Sequence, residues 1–492
     1  MIRRLTYLFI VFLGANAALW FFTALRLIAY PYSIDFGEGI LLAQSSMLVH
    51  GKNIYPPITD YPYIVSNYHP LFPFLAGLPF VFTNPGLWSG RLIALVSAIG
   101  SMIIIGKIAA KISGKNEFGL ICALLPLCLN YPYNWAYVYR VDYLGIFLSL
   151  LGLYLYMFPR KKGGIYWSIL PFTLAFLAKI TCVIALIACI IDLVRKKDRV
   201  SWKFFAIAIL ALGIPYLILN LATGFGMFRD TIIYTANVFH ISRMIDGFRE
   251  ILEYTLPLWL VIIISLTMGN GKFKFLISTY IILLFLSLVT YGAEGSDSNY
   301  FVELIFALSL GSMMWFPSKD QIQTKNNQAL NYQWLMVAFV LVFAIQGRIF
   351  DSDQFGQVHN LRKLAQSQES VDKFIANTQG DIISEDVTFL AKNGKPMVFQ
   401  PYIMSLLARK GKWDQSRFVN DLRNARFTIV VLRFDVNNPN NTDKPGQYGD
   451  AGFDRFTDEM EKAIKDGYRA PFCPNPKSNN RWFIYLPKKI DG

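Results

Sequence analysis

Two carboxylates stand close together near the start of the chain, in the stretch 30–41, which reads YPYSIDFGEGIL. Asp35 and Glu38 follow directly on a run of about twenty-five apolar residues. A carboxylate in such a place can act as a general base or orient an acceptor nucleophile, but two such residues can also simply cap or end a helix. A spacing of three puts both on one face of a helix, whereas Gly37 and Gly39 favour a turn.

Two further patches place single charges beside apolar runs. Arg140 and Asp142 lie two residues apart in YVYRVDYLGI, where an extended loop would put both side chains on one face; alternatively they form a local ion pair that steadies the loop. Lys179 lies in AFLAKITC. Its ammonium can bind a lipid phosphate or pyrophosphate as a point charge, or it can snorkel to the membrane interface. Ionisable residues at membrane depth cost about 2.5–3.5 kcal/mol each, which favours a functional role.

A third patch, YGAEGSDSNYFVE, carries Glu294, Asp297 and Asn299. These polar side chains can bind a sugar or a cation, and the same composition is typical of a solvated turn. Among the histidines we take His240 as a candidate for binding a phosphate and His69 as a candidate for binding a substrate. A lone histidine is more often structural than a ligand.

Composition shows what kind of molecule carries these residues. The chain has 492 residues, of which 54% are hydrophobic and 16% charged, with a mean hydropathy of +0.37. A soluble protein carries about a quarter charged residues, so we expect a polytopic membrane protein. The net charge of +14 does not indicate a nucleic-acid partner, because most of the excess lies in short loops between spans. Five cysteines form no disulfide framework or metal-binding spacing.

Hydropathy predicts about eleven transmembrane helices within a domain 1–350. They are expected at 5–30, 90–112, 117–134, 142–159, 165–179, 180–194, 202–224, 252–269, 273–291, 299–316 and 333–349. With a cytoplasmic N-terminus, the inside collects 17 basic and 4 acidic residues of this domain and the opposite side 9 and 11. The positive-inside rule favours that orientation, which puts every candidate site residue on the outer side.

The outer side carries two larger segments. The first outer loop, 32–89, contains HPLFPFLAGLPFVF (69–82), which is too short and too proline-rich to span a membrane and favours an interfacial helix. The tail, 351–492, is predicted to be a soluble extracytoplasmic α/β domain. Helical spacing at 360–378 and 453–468 alternates with strand-like runs in DIISED, at 426–435 and at 481–487.

Several nucleotide and metal motifs are missing from the sequence. It contains no Walker loop, dinucleotide fingerprint, HExxH or paired CxxC, and the cytoplasmic loops are too short for a nucleotide-binding domain. Chemistry with a nucleotide-activated donor on the inside is therefore not expected. The sequence indicates no certain cofactor and leaves a divalent cation, Mg²⁺ or Mn²⁺, open; no metal ligand set is assigned.

These features together resemble the GT-C superfamily of membrane glycosyltransferases, which includes protein O-mannosyltransferases and aminoarabinose lipid A transferases. The resemblance rests on DFGEG (35–39) after the first span, the long first loop, YRVD (139–142), AKIT (178–181) and GSDSNYFVE (295–303), and it covers about residues 1–350. It implies Asp35 as catalytic base, with Glu38 as helper or acceptor ligand. The acid pair is Asp-x-x-Glu where the family has Asp-Glu or Asp-x-Asp, which leaves the metal requirement open.

The resemblance also implies a reaction. A sugar would pass, with inversion, from a polyprenyl-phosphate-linked donor to a glycan, lipid or protein acceptor on the outer side of the membrane. Arg140 and Lys179 would bind the donor phosphate, and Asp142 would join the substrate-binding residues. We expect a bacterial inner (plasma) membrane location with a periplasmic or extracellular tail. The alternatives are a transporter or flippase for a lipid-linked or anionic solute, and a non-catalytic membrane scaffold.

Overall fold

The computed structural model describes residues 2–161, 163–197, 200–235, 238–268, 273–315, 353–438, 455–474, 476 and 481–488. The described residues up to 315 contain fourteen α-helices. In chain order they are α1 (Ile2–Ala29), α2 (Phe36–Val49), α3 (Leu71–Gly77), α4 (Trp88–Ser113), α5 (Asn116–Leu124), α6 (Asn130–Trp135), α7 (Asp142–Met157), α8 (Ile169–Ala178), α9 (Ile184–Arg195), α10 (Val200–Ala222), α11 (Gly226–Phe228), α12 (Ile241–Met268), α13 (Lys274–Ser287) and α14 (Tyr300–Ser312).

Four stretches of the described residues are long and apolar enough to cross a membrane by length and composition. They are Thr6–Ala29, Trp88–Ser113, Ser201–Ala222 and Lys274–Gly292. Shorter or less apolar helices overlap six more of the predicted spans, and the predicted span 333–349 lies outside the described residues. The chain is therefore a helical integral membrane protein, as the composition predicts.

The helices α8 and α9 form a hairpin whose bend is at Lys179. Cys182 packs against Gly145 near the start of α7, Phe172 packs against Gly152, and the Tyr156 hydroxyl donates to Asp192 at 2.7 Å. Helix α8 therefore runs antiparallel to α7, and α9 runs parallel to it. The predicted spans 165–179 and 180–194 meet at the same residue.

The first loop contains more helix than the sequence indicates. DFGEG does not form the turn that its glycines favour, because α2 begins at Phe36 and continues to Val49. The stretch 69–82 contains α3 and a 3₁₀ turn at Leu78–Val81, with Phe74 and Phe82 exposed. Such an apolar outer face agrees with the interfacial helix predicted there.

The C-terminal part consists of helices around a small sheet. The helices are α15 (Asp353–Asn377), α16 (Thr388–Lys392), α17 (Ile403–Arg409), α18 (Ser416–Arg423) and α19 (Asp458–Gly467), and the strands are β1 (Ile382–Ser384), β2 (Ile429–Leu432) and β3 (Phe483–Tyr485). Strand β2 is central, parallel to β1 and antiparallel to β3. All three strands lie inside stretches predicted as strands. The predicted boundary at 350/351 lies outside the described residues.

The first loop and the C-terminal part share one hydrophobic core. Tyr63 and Val65 of the loop are buried together with Phe399, Phe418 and other residues of the tail. The Tyr63 N–H donates to the Val398 carbonyl at 2.9 Å. The tail is consequently fixed at the same end of the helix bundle as Asp35.

Candidate active site

Asp35 is the N-cap of α2. Its Oδ2 accepts from the Gly37 N–H at 2.9 Å, and the Glu38 carboxylate reaches back to the N–H groups of Ile34 at 2.8 Å and Asp35 at 3.4 Å. This is a capping box, which satisfies the free N–H groups at a helix start. The Asp35 side chain also accepts from the Glu38 N–H, so the capping alternative from the sequence describes the local structure.

Glu38 is fully buried and paired with Arg91. The guanidinium donates from Nε to Oε1 at 2.8 Å and from Nη2 to Oε2 at 2.7 Å. The Tyr139 N–H adds a further hydrogen bond to Oε1 at 2.8 Å. Both oxygens of Glu38 are therefore occupied by protein donors, as an enclosed carboxylate requires.

Arg91 ties three segments to this carboxylate. Besides Glu38 it donates to the carbonyls of Leu27, Tyr30 and Tyr32 at 2.6–2.7 Å, so the end of α1 and the start of α4 are held against α2. Sequence reasoning missed Arg91. The available signal was a single arginine inside the apolar run predicted to span at 90–112.

Asp35 faces Arg140, which comes from the loop before α7. The Arg140 Nε lies 3.0 Å from the Asp35 Oδ2, and the two side chains are 18% and 21% exposed. The guanidinium lies over the Trp135 ring at 5.7 Å and donates to the Tyr68 hydroxyl at 3.4 Å. A Cβ on Gly37 would lie 2.3 Å from the Arg140 Nη1, so a side chain at position 37 would displace the guanidinium.

The electrostatics of Asp35 combine two opposing effects. Burial raises the pKa of its carboxyl above the ordinary value, and the Arg140 guanidinium lowers it. A carboxylate whose pKa is raised is a better proton acceptor than an ordinary aspartate once it is ionised. The site thus contains a basic carboxylate beside a permanent positive charge.

A second acid–base pair lies next to the first. The Lys179 Nζ donates to the Asp142 Oδ1 at 2.5 Å and lies 4.7 Å from the centre of the Tyr300 ring. Asn299 donates to the same Oδ1 at 2.8 Å, while the Asp142 Oδ2 is buried and has no hydrogen-bond partner among the described residues. Lys179 is only 9% exposed, so it does not snorkel. These four residues line a cavity together with Glu303.

Arg140 and Asp142 do not pair with each other as the local-pair alternative proposes. Each binds a residue that is distant in sequence, Asp35 for the arginine and Lys179 for the aspartate. Glu303 is the last residue of the patch YGAEGSDSNYFVE. It accepts hydrogen bonds from Ser149 at 2.9 Å and Tyr280 at 2.6 Å at the wall of the cavity.

The remaining candidates lie around this centre. Asp297 is exposed and accepts from the Ser298 N–H at 2.6 Å, close enough to Asp35 and Arg140 to affect their electrostatics. Glu294 lies on the same loop, and its N–H donates to the Val238 carbonyl at 2.9 Å.

The two histidine candidates differ in their surroundings. His240 is exposed at the start of α12, and its ring makes no hydrogen bond to the described residues. His69 is buried; its Nδ1 lies 2.7 Å from the Phe176 carbonyl, and its Nε2 has no partner in the described part. Burial lowers the pKa of His69, so its ring is neutral at pH 7.

Metal ligands are not grouped anywhere in the described residues. No three His, Cys, Asp or Glu side chains there are placed to hold one ion. At the acid pair, both Glu38 oxygens and the Asp35 Oδ2 are taken by Arg91, Arg140 and backbone N–H groups, and a cation there would lie against two guanidinium groups. These residues therefore do not fit a metal site.

The chain is similar to solved membrane-protein structures over almost its whole length. ArnT from Cupriavidus metallidurans, bound to undecaprenyl phosphate, superposes with a TM-score of 0.63 at 11% identity, covering 97% of this chain and 98% of that one. AglB, an archaeal oligosaccharyltransferase from Archaeoglobus fulgidus in complex with an inhibitory peptide and a dolichol-phosphate, gives 0.53 at 11% identity, with 97% and 74% covered. The chain has the GT-C fold.

No protein-family model matches the sequence, and no curated protein matches it. The GT-C fold is thus shared at a level of sequence identity where the individual site residues must be argued from geometry. Four helix ends converge at one end of the bundle: the N-terminus of α2, the start of α7, the end of α8 and the start of α14. Both acid–base pairs lie there, beside the C-terminal part.

Proposed function

We propose that this protein is a membrane glycosyltransferase that transfers a sugar from a polyprenyl-phosphate-linked donor to an acceptor hydroxyl or amine. The observation that carries the proposal is the ion pair of Asp35 and Arg140 directly beside the Asp142–Lys179 pair and its cavity. A basic carboxylate next to two fixed cations suits displacement of an anionic phosphate. The ArnT structure contains undecaprenyl phosphate and the AglB structure a dolichol-phosphate, which supports the choice of donor class.

Asp35 is the general base in this mechanism. Its Oδ2 is held by Gly37 and Arg140, so Oδ1 receives the acceptor's proton. The acceptor oxygen or nitrogen forms a bond to the anomeric carbon of the sugar as that carbon's bond to the phosphate oxygen breaks. The bonding pair leaves with the phosphate. A single displacement, with the acceptor attacking opposite the leaving phosphate, inverts the anomeric configuration.

Arg140 and Lys179 bind the donor phosphate and stabilise the charge that develops on it. Both are permanent cations held by a carboxylate, so their positive ends are positioned before the donor arrives. Asp142 and Asn299 orient Lys179, because both belong to the hydrogen-bonded group around its ammonium. Since Glu38 has no free oxygen, we assign it a positioning role in place of the helper role expected from the sequence.

The outer residues complete the proposed substrate site. Asp297 and Glu294 contact the sugar or the acceptor at the rim, and exposed His240 contacts the donor phosphate from the loop before α12. Buried His69 shapes the wall beside Phe176. The site faces the periplasm or the extracellular space, with the N-terminus in the cytoplasm of a bacterium, and the acceptor is a glycan, a lipid or a protein.

A donor panel tests this proposal. Purified protein in detergent is incubated with radiolabelled polyprenyl-phosphate sugars of several head groups and chain lengths, and free polyprenyl phosphate is measured with and without candidate acceptors. We expect release from at least one donor. The same donors in proteoliposomes, with the label inside, measure translocation. Translocation without release would replace the enzyme by a transporter or flippase, and tight binding with neither activity would favour a scaffold.

A further inference from the structure

The C-terminal sheet ends in two acids that face the segment carrying Asp35. Strand β1 finishes at Ser384, and Glu385 and Asp386 follow it directly. The Ser33 hydroxyl donates to the Asp386 Oδ2, and the other oxygen of Asp386 accepts from the Thr388 N–H at 2.9 Å. Asp386 is 7% exposed. This contact holds the backbone two residues before Asp35.

The second acid acts on the other side of Asp35. Glu385 is fully buried; it accepts from Arg455 at 2.7 Å and from the Arg433 N–H at 2.8 Å. Arg455 in turn lies over the Phe36 ring, 3.7 Å from its centre. A cation this close to a ring face is an attractive contact, and the geometry requires the planar guanidinium. Phe36 is the residue that follows Asp35.

A third contact brings the same part of the tail against α2. A Cβ on Gly39 would lie 2.3 Å from the Thr388 backbone nitrogen and 2.5 Å from its hydroxyl oxygen. The start of α16 therefore packs directly onto the α2 backbone, at a place where only glycine fits. The glycine at 39 is explained by this contact with the tail, and the glycine at 37 by Arg140.

We propose that Asp386 and Arg455 are positioning residues for Asp35, so that the docked C-terminal sheet sets the geometry of the base. This inference rests on the proposed role of Asp35. Contacts at positions 33 and 36 fix the peptide units on both sides of the carboxylate. Asp386 and Glu385, which holds Arg455, directly follow β1, and this strand is buried and paired with the central strand. A displacement of about 1 Å in a catalytic group can reduce the rate by up to about a hundredfold.

Single substitutions on both halves of the contact test the inference. Ser33→Ala removes the hydroxyl that donates to Asp386. Arg455→Lys keeps a positive charge beside Glu385 but loses the planar guanidinium that lies over the Phe36 ring. We expect each to lower kcat about tenfold on a donor identified in the panel, with the donor KM within twofold of wild type. Ser46→Ala on α2 and Arg423→Lys on α18 are the matched controls, with kcat unchanged.

Hydrogen exchange gives a readout that does not depend on turnover. We expect faster amide exchange in a peptide covering residues 33–40 for Ser33→Ala and Arg455→Lys, with exchange in α4 and α7 unchanged. A general loss of stability would instead accelerate exchange throughout the bundle. Unchanged exchange at 33–40 in both variants, or kcat within twofold of wild type, would overturn the positioning role.

The two levels of the proposal fail in different ways. If Asp35→Asn retains full release of polyprenyl phosphate, the base assignment is wrong, whatever the tail variants do. If Asp35→Asn abolishes release while Ser33→Ala and Arg455→Lys keep wild-type kcat, the proposed function stands and the positioning role falls. The double variant Phe36→Leu/Arg455→Lys is expected to lower kcat no more than either single change, because both changes remove the same contact.

Discussion

The Arg140 Nε lies 3.0 Å from the Asp35 Oδ2, although 104 residues lie between Asp35 and Arg140 in the sequence. The pair links the N-terminus of α2 to the loop before α7 across the end of the helix bundle. The arginine faces the same oxygen that accepts from the Gly37 N–H. The charge on Arg140 therefore controls how readily Asp35 takes up a proton.

Removing this charge should change the pH dependence of turnover. Burial raises the pKa of Asp35 and Arg140 opposes it, so Arg140→Met lets the pKa rise further. A base works only when ionised, so activity falls as pH falls through its pKa. We expect the acid limb of kcat/KM to move to higher pH in Arg140→Met. Arg417→Met, an exposed arginine on α18, is the control; an unmoved limb would show that Arg140 does not act on the base.

The buried pair Asp142–Lys179 allows stability and donor binding to be separated. Lys179→Met leaves a buried carboxylate without its cation, which costs about 3–5 kcal/mol of unfolding free energy. Adding Asp142→Asn removes that charge, so the double variant should regain most of the stability. It should not regain affinity for radiolabelled polyprenyl phosphate, which we expect to fall at least tenfold. Recovery of binding in the double variant would contradict the phosphate-binding role of Lys179.

Glu38 is expected to matter for folding and not for chemistry. Glu38→Gln leaves the buried Arg91 guanidinium without the negative charge of its carboxylate partner. We expect a loss of about 3–5 kcal/mol in unfolding free energy. Polyprenyl-phosphate affinity of the folded fraction should stay within twofold of wild type. Thermal unfolding followed by tryptophan fluorescence measures the first quantity and equilibrium binding the second. Normal stability with abolished turnover would instead return Glu38 to a chemical role.

Asp230 predicts a pH dependence of stability. It is fully buried where the segment after α10 meets the first loop, and it accepts from the Ser66 N–H at 3.1 Å and from Arg229. Burial raises its pKa from 3.8 to about 6. The folded protein therefore takes up this proton before the unfolded chain does. Stability should fall as pH rises from about 4 to about 6 and then level off, by about 3 kcal/mol in total.

Asp230→Asn should remove that dependence, because the amide does not titrate. Unfolding temperatures measured every half unit between pH 4 and pH 7 compare the variant with wild type. Asp60→Asn, which changes an exposed aspartate in the same loop, is the control and should keep the wild-type slope. Equal slopes in all three proteins would show that Asp230 is not the titrating group.

The features that depend on local pattern could be read from the sequence. Apolar runs of about 20 residues predict spans wherever they occur, and Lys179 marks the bend of the α8–α9 hairpin because a charge interrupts such a run. The β-branched run before Phe434 likewise predicts the buried strand β2.

Partnerships between distant residues could not be read in this way. Glu38 pairs with Arg91 and Asp142 pairs with Lys179, and no spacing rule links residues that only tertiary packing brings together. The two glycines of DFGEG favour a turn by propensity. In the structure both glycines lie in α2, close to Arg140 and Thr388, and the sequence, which left helix and turn open at this point, does not show these contacts.

Asp35→Asn gives the most direct test of the central claim. The amide keeps the size of the side chain and the oxygen that caps α2, but it cannot accept a proton. With a donor identified in the panel, we expect at least a thousandfold loss of polyprenyl-phosphate release, with donor affinity and unfolding temperature close to wild type. Release at the wild-type rate in this folded variant would contradict a glycosyl transfer that uses Asp35 as its base.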